Sequence, residues 1–117
     1  MLALLCCSLS ILVSPAPAVA ISAAGFPAAV PQERVLDTAD VLSRAARAEL
    51  GKTLEAFHAD RVDAHLVTVN RLDYGLTLPQ LGAELLERWS DAGAEPNQLL
   101  FLIDSQTNSA AVVAAPA

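Results

Sequence analysis

Apolar and polar positions change period along the chain, and the changes mark its elements. Between residues 44 and 59, Ala46, Leu50, Leu54 and Phe57 recur at helical spacing while Arg44, Arg47, Lys52 and Glu55 fill other positions, which predicts an amphipathic helix. Ser43 stands where its hydroxyl can accept from a first-turn amide, and Gly51 weakens the helix slightly. Residues 62–69 are rich in apolar and β-branched side chains and lie between Asp60-Arg61 and Asn70-Arg71, which suits a strand buried on both faces. Thr77-Leu78-Pro79-Gln80 opens a second helix with a capping box, threonine accepting from the amide at Gln80 and the glutamine side chain reaching back. Proline is tolerated there because first-turn amides lack intrahelical partners. Leu78, Leu81, Leu85, Leu86 and Trp89 form its buried stripe.

Residues 91–96 break the chain before a second apolar run at 99–103; Ser105-Gln106-Thr107-Asn108 is turn chemistry, and residues 110–115 return as an antiparallel partner. Alternating helices and strands generate parallel β-α-β units, so the expected fold is a three-layer α/β sandwich with a partly parallel central sheet. That fold requires the runs centred on Val67 and Phe101 to lie side by side, pointing the same way, between two helices.

The start of the chain reads differently. Residues 1–13 are apolar and lead through Ser14-Pro15-Ala16-Pro17 to Ala18-Val19-Ala20, the small-x-small pattern of a cleaved export signal, here residues 1–20. The block is shorter than the roughly twenty residues a membrane-spanning helix needs. No Lys or Arg precedes Arg34, so the usual basic start is missing, as in a thylakoid-transfer signal without its transit segment or a misplaced start codon. Cys6 and Cys7 both lie in this block; a mature chain from Ile21 would have neither disulfides nor thiolate metal sites. Residues 21–33 are rich in Ala and Pro and predict a flexible tether, which leaves residues 34–117 as one small domain. The net charge of −6 falls entirely beyond residue 32 and argues against nucleic-acid binding, which needs a basic surface.

A set of motifs in fixed order adds a family resemblance. Val35-Leu36-Asp37-Thr38-Ala39-Asp40-Val41-Leu42-Ser43 is followed by residues 66–75, ending Asn70-Arg71-Leu72-Asp73-Tyr74-Gly75, then by Glu87-Arg88-Trp89, by residues 97–104 and by Thr107-Asn108. This set resembles the TPM domain family, most closely its photosystem II repair branch in cyanobacteria and chloroplasts. Asp40 stands where many members carry a small residue, and Asn70 where the branch often has a basic one. The resemblance covers about residues 34–115 and implies a domain incomplete at its C-terminus, with membrane association only through a missing C-terminal segment.

It also implies a thylakoid-lumenal auxiliary factor in photosystem II repair and photoprotection, with photosystem II proteins as partners and Arg71, Asp73 and Tyr74 as the binding loop. The alternatives are a metal-assisted acid phosphatase of the same family and a bacterial periplasmic or envelope protein without a photosynthetic role.

For phosphatase chemistry the candidates are Asp37, Asp73 and Asp104, expected where strand C-termini converge. A pair of them would hold a divalent cation through oxygen ligands, which would generate a nucleophilic water, and Arg71 would offset charge on the transferring group. The plainer account makes Asp37 and Asp104 element terminators, Asp73 a turn residue and Arg71 a solvated side chain. His58 and His65 straddle a helix end and a strand, and no His-x-x-x-His spacing exists; His58 suits a helix C-terminus and His65 a sheet position with a satisfied ring nitrogen. Trp89 belongs to the core stripe. Nucleophilic serine catalysis has no supporting motif.

Overall fold

The computed structural model describes residues 20–90 and 97–115. The expected export signal with Cys6 and Cys7, the chain-breaking residues 91–96 and the last two residues lie outside this description. Among the described residues, the strands and α-helices are β1 (Val35–Asp37), α1 (Arg44–Glu55), β2 (Asp63–Val69), α2 (Leu78–Arg88), β3 (Gln98–Asp104) and β4 (Ser109–Ala114). They form a single four-stranded sheet in the order β1-β2-β3-β4. The first three strands are parallel and β4 is antiparallel to β3.

The central pair meets the condition set by the sequence, with Leu66 opposite Phe101 and Val67 opposite Leu102 in parallel register. All seven residues of β2 are buried, since helices cover both faces and the strand is internal. Because side chains alternate across a sheet, β2 divides its residues between two cores. Val67 and Val69 join Leu100, Leu102, Leu81, Leu85 and Trp89 under α2. Ala64 and Leu66 join Leu54, with Leu50, Phe57, Phe101 and Ile103 packed around them, under α1.

Local chemistry sets the ends of the helices. Ser43 Oγ accepts from the Ala46 amide, and Thr77 and Gln80 complete the reciprocal capping box, with Pro79 in the first turn. Past Glu55 the first helix tightens into a 3₁₀ turn, Ala56–Asp60, that ends at Arg61 in the left-handed region (φ 62°). No helix among the described residues is long and apolar enough to cross a membrane.

Two features differ from the sequence expectation. The three-residue strand β1 is too short to show any period, and it pairs along the outer edge of β2. Its approach is fixed by Arg34, whose guanidinium pairs with Glu55 at 2.9 Å and with Asp63. The segment expected as a tether instead lies against the domain. Phe26 is buried in the α2 core, the Pro27 carbonyl accepts from Trp89 Nε1 at 2.9 Å and from Arg88 Nε at 3.1 Å, and the Pro31 carbonyl meets His65 Nε2 at 3.0 Å. Alanine and proline carry no readable period, yet proline carbonyls remain full acceptors, and one phenylalanine suffices to anchor the strap.

Candidate functional site

The C-terminal ends of the parallel strands are where an open α/β sheet presents ligands, and the predicted residues lie along that edge. Asp37 ends β1 and faces Thr68 of β2 in register. Its Oδ1 accepts from Thr68 Oγ1 at 2.6 Å and from the Val41 amide at 3.1 Å, and its Oδ2 accepts from the Leu42 amide at 2.9 Å. Burial pushes this carboxyl up, but the Thr68 hydroxyl, the Leu42 and Val41 amides and the Arg47 charge together outweigh that effect and hold it below the usual carboxylate value. The loop into α1 is thereby wound around one ionised side chain. Asp40 completes it with a positive φ of 54°, a conformation aspartate tolerates better than most residues.

Thr68 was not among the candidates, although it holds the centre of this network. Its hydroxyl donates to Asp37 and accepts from the Ala39 amide at 3.1 Å, while its carbonyl accepts from Thr38 Oγ1. A threonine between the valines at 67 and 69 is its sequence signal, and β propensity alone accounts equally well for that.

Asp104 ends β3 and is buried. One of its oxygens accepts from the Gln106 amide at 2.9 Å, an Asx turn that starts the hairpin, which Asn108 completes at φ 55°. Asp37 and Asp104 do not converge. Asp37 shares the parity of Thr68, Ile103 and the α1 face, whereas Asp104 lies opposite Val69 and shares the parity of Leu102 and the α2 face. The period of two sends the carboxylates to opposite faces, with a strand between them. Among the described residues no group of three or more His, Cys, Asp or Glu side chains is arranged to hold a metal ion. The expected cation pair therefore has no common ligand face in the strands themselves.

Arg71, Asp73 and Tyr74 occupy the loop after β2, and here the residues are brought together. The backbone is pinned by Ile21, whose amide donates to the Arg71 carbonyl at 2.7 Å and whose carbonyl accepts from the Asp73 amide at 3.0 Å. The Leu76 amide then closes onto the Asp73 carbonyl at 3.0 Å. Gly75 takes φ 82°, the glycine position of a type II turn. Arg71 and Asp73 are exposed, and Tyr74, at the corner, is fully so. An aromatic ring, a guanidinium and a carboxylate thus project from a short, doubly tied loop.

A cleft of about 570 Å³ runs between the outer edge of β1 and α1, with Glu33, Arg34, Asp37 and Arg47 among its walls beside Val35, Leu36 and Ala48. His58 sits exposed in the turn after α1, and His65 is a sheet residue with its ring nitrogen occupied, so neither belongs to this edge.

The model of the TPM domain family matches residues 35–116. No curated protein matches the chain.

Proposed function

The chain belongs to the TPM domain family, and from that membership we propose that it is a thylakoid-lumenal auxiliary factor that docks on photosystem II proteins during repair and photoprotection. The observation that carries this reading is the turn bearing Arg71, Asp73 and Tyr74. Arginine and tyrosine are enriched among residues that dominate binding energy, and a backbone held at both Arg71 and Asp73 loses little freedom on association. A fully exposed tyrosine has no role in this domain's own core.

The test is co-purification with photosystem II from solubilised thylakoids after strong light. Wild-type protein travels with the complexes, and the Arg71→Ala, Tyr74→Ala double variant does not, while both give the same circular dichroism. Equal recovery of the two proteins, or none of either, removes the proposal.

The second reading, an acid phosphatase, rests on one observation: Asp37 is held ionised beside the cleft that Arg47 lines. Phosphomonoester hydrolysis that chelator and Asp37→Asn both abolish would favour it over docking.

A further inference from the structure

The strap of residues 21–31 is held at points that belong to different parts of the domain. The Pro31 carbonyl meets His65 Nε2 at 3.0 Å, the Pro27 carbonyl accepts from Trp89 Nε1 and Arg88 Nε, and the Phe26 carbonyl accepts from Arg88 Nη2 at 3.2 Å. At its far end Ile21 bonds the Arg71 carbonyl and the Asp73 amide. Within the strap, the described main-chain bonds are those of one short turn, Ala23–Gly25. A segment held mainly by its anchors can open as a unit while the sheet stays folded.

His65 is the anchor whose charge changes near neutral pH. A carbonyl only accepts, so the neutral ring carries its proton on Nε2 and leaves Nδ1 bare. A second proton must go to Nδ1, and among the described residues no acceptor is bonded there. The ring is buried against Trp89, so an imidazolium under the closed strap gains neither water nor a new partner. The surrounding charges offset one another. Asp63, on β2 itself, and Glu55, at the end of α1, attract the cation, but both are paired with Arg34, which repels it. At the strap α2 places Arg88, and its Glu84 and Glu87 are exposed. His58 and Asp60, after α1, are exposed as well, and Asp37 of β1 is bonded to Thr68. On β3 the neighbouring Gln98 and Leu100 are neutral, β4 carries no charge, and residues 21–31 have no titratable side chain.

We propose that protonation of His65 opens the strap and thereby unfastens the Arg71–Gly75 loop, so that the strap is an acid-operated latch. Lifting Phe26 and Pro31 brings water to the ring, and proton uptake and opening therefore favour each other. Burial holds the closed imidazole below its ordinary 6.5. Closure is fully favoured above that value and weakens as the pH falls below it. Opening removes both bonds of Ile21 to the loop. The consequence for docking rests on the reading of that loop as a binding surface, whereas the latch is tested without any partner.

The test is residue-resolved amide exchange of the full chain by NMR, compared as protection factors at about pH 7 and about pH 5. The Ile21 and Asp73 amides, which make the clasp, are expected to be less protected than those of β2 and β3, reporting a separate opening. Acidification is expected to lower their protection by about threefold or more. His65→Gln, whose amide can still donate to Pro31 but takes up no proton, is expected to abolish that fall. In Phe26→Ala, which loosens the strap at neutral pH, the His65 ring is expected to titrate closer to 6.5 than in wild type, and this comparison decides the matter if the glutamine variant does not fold. Circular dichroism establishes which variants are folded. Clasp amides that exchange in step with the sheet, protection that ignores pH or falls equally in His65→Gln, or a ring that titrates alike with and without Phe26 would each overturn the proposal.

Discussion

His65 lies in β2 on the α2 face, 3% exposed, with its ring centroid 5.8 Å from that of Trp89 and Nε2 at the Pro31 carbonyl. Burial pushes the imidazole below its ordinary 6.5, and the Pro31 hydrogen bond and the nearby Asp63 charge offset only part of that. In the unfolded chain the ring takes up a proton near 6.5 that the folded protein resists. Stability from this residue is therefore complete above that pH and declines as the pH falls below it. Thermal melts between pH 7 and pH 5 should show the wild-type midpoint dropping and His65→Gln with a flatter slope; parallel slopes would refute the assignment. Asp37 acts in a lower window. Its folded value lies below the ordinary 3.8, so its contribution is intact above that value and is lost as the pH falls through the depressed one.

The same scale shows what could be read from residues alone. The roles of Asp37 and Asp104 as element ends were accessible, because short acidic side chains bind nearby amides. Their separation to opposite faces needed the register of β1 on β2, which no three-residue strand discloses.

At the level of elements, α2 lies so close to β3 and β4 that a Cβ on Gly82 would sit 2.7 Å from Val113 Cγ2 and 2.8 Å from Leu102 Cδ1. Alanine in a helix interior ordinarily gains up to about 1 kcal/mol over glycine, but overpacking a core costs about 1–3 kcal/mol. The second effect wins because valine has little freedom to withdraw. Gly82→Ala should lower stability by about 1 kcal/mol in urea titration, and the loss should shrink in a Val113→Ala background, since the two positions couple through contact. A stabilised single variant would show that helix and sheet separate readily. Both helices and strands β2, β3 and β4 were legible from period, caps and turn residues. The glycine reads only as a propensity defect until the strand beneath it is in view.

Across the whole molecule, the largest departure from expectation is the strap of residues 21–31. It crosses the α2 core, buries its own Phe26 there and supplies the carbonyls of Pro27 and Pro31 to Arg88, Trp89 and His65. If these contacts are structural, Phe26→Ala should cost about 3 kcal/mol, in the range for buried phenylalanine, and chemical denaturation would show it. A true tether would register no change. Composition misleads here because alanine and proline lack periodicity, whereas burial depends on where the chain passes.

The clasp of Ile21 on Arg71 and Asp73 also ties the loop that carries Tyr74 to a residue far earlier in the chain. Loss of that one residue would leave the sheet and both helices whole while unfastening the turn at Gly75 from its anchor.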